Sequence, residues 1–302
     1  MSRKTIQAKD LYRMRNILDA SFSPDGKLVI SAIQRVREKD QKKFTNLFIH
    51  KVPSGKTSQF TSGDQTDISP KWSPDGKTIA FLSNRDNEKQ FQIYLISRDG
   101  GEARKLTNLS GDFYAFNWSP DGTRFICEFR KKDAEAVERE KNEDKGKLGV
   151  IARHITRVFY RLDGYGWYPQ NRYHLWMINA RNGKATQLTD HPIYSEIGPF
   201  WSPDGNSVGY FSNVSPDPDF KPDRTDLFVL DLKTLKSRKI DTPVGDKGFG
   251  AFSLDGNWIS YVAQIGEGEG WRNHNVWVVA VNGNKKAQNL TEKYDLQDRK
   301  ST

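Results

Sequence analysis

Short hydrophobic runs bounded by polar turn residues follow one another along the chain, and their arrangement repeats. Lys77-Thr-Ile-Ala-Phe-Leu-Ser83 and Asn257-Trp-Ile-Ser-Tyr-Val-Ala263 alternate with the period of a strand. Each such run follows a turn: Ser-Pro-Asp-Gly at Ser23–Gly26, Ser73–Gly76, Ser119–Gly122 and Ser202–Gly205, and Ser-Leu-Asp-Gly at Ser253–Gly256. Proline presets φ at the second position, serine and aspartate favour a type I turn, and glycine closes it at positive φ. An aromatic-bearing segment precedes each turn, as in Pro70-Lys-Trp72, Phe116-Asn-Trp118 and Pro199-Phe-Trp201. Further on lies a third run (Asn46–His50, Gln92–Ile96, His174–Ile178, Asp226–Leu230, Asn275–Val279). A Gly-bearing hairpin signal follows most of these runs, such as Asn182-Gly183 or Asn282-Gly283. The unit ends near a Leu-Thr landmark: Gln59-Phe-Thr61, Lys105-Leu-Thr107, Gln187-Leu-Thr189 and Asn289-Leu-Thr291, with Arg238-Lys-Ile240 as the divergent copy. Each unit therefore reads as four antiparallel strands.

The turns start 50, 46, 83 and 51 residues apart. A period of about 40–50 residues with several strands is the mark of a propeller blade. The expectation is an all-β β-propeller of five four-stranded blades, forming a single domain over 1–302 that is incomplete. The long interval places an insertion in the third blade at about 130–172.

A chain of 302 residues accommodates one large all-β domain, and aromatics at 12% suit sheets packed face to face. No apolar run approaches the roughly 18 residues of a membrane span, so no membrane partner is expected. The N-terminal decapeptide lacks the apolar core of a secretory signal, and Cys127 is the only cysteine. A cytoplasmic location fits both. A net charge of +9 raises nucleic acid as a partner. The bases are spread out, however, and nowhere interleave with aromatics as a stacking platform would, so none is expected. Arg130–Lys147 holds seven bases and six acids and reads as a solvated loop or short exposed helix.

No Gly-x-Ser-x-Gly elbow occurs, and the five histidines show no metal-ligand spacing. Gly266-Glu-Gly-Glu-Gly270 joins two strands instead of opening a helix, so it reads as a hairpin loop. Asp217, Asp219 and Asp223 lack the glycine and distal glutamate of a calcium loop, and Pro216, Pro218 and Pro222 make their segment a stiff connector. No catalytic residue, metal site or cofactor is expected.

These residues carry a family resemblance. Leu11–Gly26, the Trp-Ser-Pro-Asp-Gly turns, Phe81-Leu-Ser-Asn-Arg85 and the Leu-Thr endings resemble the N-terminal propeller of prolyl oligopeptidase-family serine peptidases. The acylaminoacyl-peptidase-like branch is nearest, through Ile155–Gly166 and His174-Leu-Trp-Met177. The resemblance implies seven blades followed by an α/β-hydrolase domain with Ser, Asp and His, whose active site the propeller covers, admitting short peptides. The chain departs from it by supplying five units and no hydrolase domain. An open arc of blades would expose two sheet faces and favour self-association.

Three functions stay open: the non-catalytic propeller of a serine peptidase, gating access to a hydrolase domain; a free-standing protein-binding platform; and an enzyme with a site in a central channel. Gly149–Pro169 is rich in Arg, Tyr and Trp, residue types that build binding hot spots. Arg157, Tyr160, Arg161, Tyr165 and Trp167 are the candidates for substrate gating or domain docking. The competing reading makes Val158, Tyr160 and Leu162 an extra strand with solvated arginines.

Overall fold

A computed structural model describes residues 5–163, 166–268 and 270–294. The chain divides into two compact units, one reaching Asn108 and including Ala180–Gly183, the other formed by Leu109–Asn179 and the residues from Lys184 onward. The first unit holds two four-stranded antiparallel sheets. One comprises β1 (Asn16–Phe22), β2 (Leu28–Val36), β3 (Lys43–Lys51) and β4 (Thr57–Gln59); the other β5 (Asp67–Trp72), β6 (Thr78–Ser83), β7 (Gln92–Ser97) and β8 (Arg104–Lys105).

The second unit holds three such sheets. The first is built from β9 (Gly111–Trp118) and β10 (Arg124–Lys131), then, after an excursion, β13 (His174–Asn179) and β14 (Ala185–Gln187). The excursion carries α1 (Ala134–Lys141), α2 (Glu143–Leu148) and a small hairpin of β11 (Arg161–Leu162) and β12 (Gly166–Trp167). The second sheet contains β15 (Glu196–Trp201), β16 (Ser207–Ser212), β17 (Asp226–Asp231) and β18 (Lys236–Ile240). The third contains β19 (Gly245–Phe252), β20 (Trp258–Ile265), β21 (Asn275–Ala280) and β22 (Gln288–Asn289). Consecutive strands pair throughout, so the five meanders match the five sequence units.

The turns are built alike. In every copy the serine hydroxyl bonds the aspartate at 2.5–2.6 Å, and the glycine N–H reaches the serine carbonyl at 2.8–3.0 Å. The aspartate also accepts the N–H of the residue after the glycine, at 3.0–3.1 Å. The serine hydroxyl and these N–H groups pull the carboxylates below their usual range, to about 2 at Asp121 and Asp255. The glycines sit at φ between 67° and 72°, where a Cβ would be strained.

The Leu-Thr landmark has an equally local cause. The fourth strands end two residues before the threonine, whose hydroxyl takes over the ladder: Thr61, Thr107, Thr189 and Thr291 accept the N–H of Leu47, Ile93, Leu175 and Val276 at 2.9–3.0 Å. The tryptophans end their blades' first strands. Trp72 donates its indole N–H to the Ser21 carbonyl, and Trp201 donates to that of Asn117, each at 3.1 Å on the neighbouring sheet's first strand.

Burial corrects the strict alternation. In β6 five of six residues are buried, polar Ser83 included, and one face of its sheet packs into a core shared between sheets. Ile30, Leu47, Ile79, Phe81 and Ile96 form one such inter-sheet core in the first unit. Each fully buried side chain of this size contributes roughly 1.5–3 kcal/mol. The outer strands are short and exposed, with β4 exposed throughout, which blunts the sheet edge.

Candidate functional site

The excursion between β10 and β13 closes on itself at its neck. Asp133 accepts the backbone N–H groups of Gln170 and Asn171, both at 2.9 Å, and the Asn171 amide donates back to the carbonyls of Lys131 and Lys132. Beyond the neck, α1 and α2 bury no residue and are laced by ion pairs, Lys132–Glu140 at 2.6 Å and Lys145–Glu138 among them. The self-neutralising run is thus a pair of short exposed helices.

The Arg- and aromatic-rich half folds over a cleft of about 650 Å³. Trp167 and Arg161 are directly paired across the small hairpin, and the Tyr168 N–H reaches the Tyr160 carbonyl at 2.9 Å. The Tyr160 and Trp167 rings lie 5.8 Å apart. The guanidinium of Arg161 lies 5.6 Å from the Trp167 ring centre, and that of Arg153 lies 4.6 Å from it. Tyr160, Arg161 and Trp167 are therefore brought together, exposed. The extra strand at this place is only Arg161–Leu162; Val158 and Tyr160 lie outside it. Tyr165 lies outside the described residues.

Arg157 is placed differently. It is half-buried and makes a two-pronged bond to Asp219, at 3.1 and 2.9 Å, while Arg172 stands 3.9 Å from the same carboxylate. Burial opposes ionisation of Asp219. The Arg157 hydrogen bonds, with the charges of Arg157 and Arg172, nevertheless hold its carboxyl below the usual range. Arg172 is lowered, first by burial and then by the nearby Arg157 charge. Arg157 thus ties the excursion to the connector between β16 and β17.

That connector is tied on its other side too. Lys221 pairs with Glu267 at 2.7 Å, and Asp223 accepts the Gly268 N–H at 2.7 Å, both on the loop between β20 and β21. In the second unit the three connections between second and third strands therefore form one linked rim. It exposes Phe220 and Trp271 beside Tyr160 and Trp167 as large apolar side chains of the same three loops. The sequence marks the segment of Asp219 as a stiff connector, but nothing in it signals the pairing with Arg157. Among the described residues no three His, Cys, Asp or Glu side chains converge as metal ligands.

Several buried polar groups had no such signal. Glu128 on β10 is buried and accepts the Gly198 N–H at 2.8 Å; desolvation pushes its carboxyl up to about 7. His174 bonds Glu196 at 2.7 Å, and Thr189 donates to the same oxygen. His50 sits between the hydroxyls of Ser31 and Thr57 at 2.7 and 2.8 Å. Ser31 is buried within its sheet, and among the described residues no carboxylate is bonded to this histidine, an arrangement that fits packing better than nucleophilic attack. No helix among the described residues is long and apolar enough to cross a membrane.

Comparison with known proteins fits this architecture. The model of the TolB β-propeller domain (PD40) matches residues 5–155, half of the chain. The chain is 29% identical over 214 residues to the uncharacterized peptidase YuxL of Bacillus subtilis, covering 70% of this chain and 32% of that protein. It is 25% identical over 274 residues to dipeptidyl-peptidase 5 of Porphyromonas endodontalis, covering 85% and 38%. The chain thus spans about a third to two fifths of these relatives. Acylaminoacyl peptidase of Pyrococcus horikoshii superposes with a TM-score of 0.70 at 16% identity, over 94% of this chain and 40% of that one, which is a likeness of fold.

Proposed function

The chain belongs to the TolB β-propeller domain family, and from that premise we propose that it is the non-catalytic propeller of a serine peptidase of the acylaminoacyl-peptidase and prolyl-oligopeptidase type. In this reading it covers an α/β-hydrolase domain and gates the entry of short peptides. The observation that carries it is the linked rim of the second unit. Three connections, each between the second and third strands of one sheet and crosslinked through Asp219, Lys221 and Asp223, project Arg and aromatic side chains without burying them. Exposed aromatics beside arginines are what a docking face supplies, since they bury large area with few rotors. Named peptidases among the relatives, each much longer than this chain, support the same partner.

The test mixes the purified chain with the hydrolase domain of a related peptidase. A complex should form on gel filtration, and it should cleave short acyl-peptides while sparing long unfolded polypeptides. Gel filtration of the chain alone reads whether copies self-associate. A hydrolase domain that neither binds the chain nor changes its size selectivity would leave the free-standing binding platform as the reading to pursue.

A further inference from the structure

The arginines of the excursion and its neck fall into two groups. Arg139 faces Glu135, and Arg157 and Arg172 face Asp219. Arg153 and Arg161 have no carboxylate partner among the described residues, and both lie over Trp167. Stacking on an indole holds a guanidinium plane in place but leaves the N–H donors around its edge unused. A guanidinium pre-oriented by a ring, with donors to spare, matches a carboxylate in geometry and charge.

The cleft beside Trp167, which Arg153 lines and Arg161 does not, points the same way. Its 650 Å³ lies within the range of about 300–1,000 Å³ usual for small-ligand sites. Ile155, Phe159, Tyr160, Trp167 and Tyr168 give it an apolar wall, and Arg153 lines it directly. The acids in the lining are engaged elsewhere, Asp133 with two backbone N–H groups and Glu135 with Arg139, so neither is set against Arg153. An anion and an apolar group thus find their complements within one open cleft. A peptide's C-terminal residue presents that pair on one carbon, its carboxylate and its side chain. We propose that this cleft binds the C-terminus of short peptides, Arg153 taking the carboxylate, Arg161 over the same indole adding positive charge, and the aromatic wall taking the last side chain. The inference deepens the peptidase reading, and rests on it for the source of the peptides.

Calorimetric titration of the chain decides it. The probes are Ala-Ala-Phe as the free acid, the same peptide as its C-terminal amide, and Ala-Asp-Phe amide, which carries its carboxylate on a side chain. The free acid should bind, and amidation should weaken binding about tenfold or more, the loss of a charge-assisted pair. Arg153→Ala with Arg161→Ala should abolish the difference. Both residues are exposed, so the thermal midpoint of the double variant should match the parent and certify its fold. Equal affinity for acid and amide, discrimination that survives the double variant, or no binding of any probe overturns the site. Tight binding of the Asp-bearing amide overturns the C-terminal assignment. A chain that discriminates acid from amide but fails to bind a hydrolase domain keeps this site and loses the domain reading; the reverse pair of results does the opposite.

Discussion

A glutamate on a strand ordinarily faces water, and Glu128 does not. Its neighbours Ile126 and Arg130 share its face of β10, and all three are buried because another sheet covers that face. Unfolded, its carboxyl ionises in the ordinary range; folded, only at about 7. Between these values the native state holds more protons than the unfolded one. Stability is therefore full at acid pH and declines as pH rises to about 7. Glu128→Gln keeps the acceptor for the Gly198 N–H and removes the buried charge. It should gain on the order of 1–3 kcal/mol at pH 8 and little at pH 4. Urea unfolding at both pH values reads this, and a gain independent of pH would refute it. The Leu-Thr landmark gives a second residue-scale expectation. Thr107 is buried, accepts the Ile93 N–H and donates to Gln92 at 2.7 Å. Thr107→Val keeps the volume and orphans that N–H, a loss of about 1–3 kcal/mol in chemical denaturation.

Among the elements, those with local causes were legible in the sequence. The Ser-Pro-Asp-Gly turns and Gly hairpins fix where strands start and stop through bonds within a few residues, so four strands per unit could be read directly. What could not be read depends on partners distant in sequence. Arg157 and Asp219 are 62 positions apart, so periodicity gives no hint that they meet. Their types did not help either, since an Arg beside tyrosines reads as a binding residue and an Asp among prolines as part of a stiff connector. The exposed cluster of Tyr160, Arg161 and Trp167 was legible because all three belong to one hairpin. Asp219→Ala tests the crosslink. It removes the carboxylate from two half-buried guanidiniums and frees the connector from the excursion. Trypsin should then cut within residues 149–172 several-fold faster, with cleavage elsewhere unchanged. An unaltered cleavage pattern would mean that the neck at Asp133 alone fixes the excursion.

At the scale of the whole molecule, the excursion separates what the sheets need from what they carry. Its neck closes through Asp133, Gln170 and Asn171. β10 and β13 pair over six residue positions regardless of what lies between them. A short Gly-Ser bridge replacing residues 134–169 should therefore leave the fold in place. Loop closure favours the shorter connection by only a small amount, since that entropy grows with the logarithm of length. Half-buried contacts are given up, among them Arg157 and the Phe159 backbone to Asp219 and Arg157 over Tyr168, so a modest drop in thermal midpoint is expected. Function should respond far more than stability. Joined to a hydrolase domain, the shortened chain should retain hydrolysis of a dipeptide-sized acyl substrate. If the excursion is the proposed gate, cleavage of peptides of about 20 residues should rise several-fold, because the obstacle has gone while the catalytic groups on the other domain are untouched. Competition between the two substrate sizes, assayed before and after the deletion, measures this directly. A size preference that stays the same would assign the excursion to structure alone and move the gate to another part of the rim.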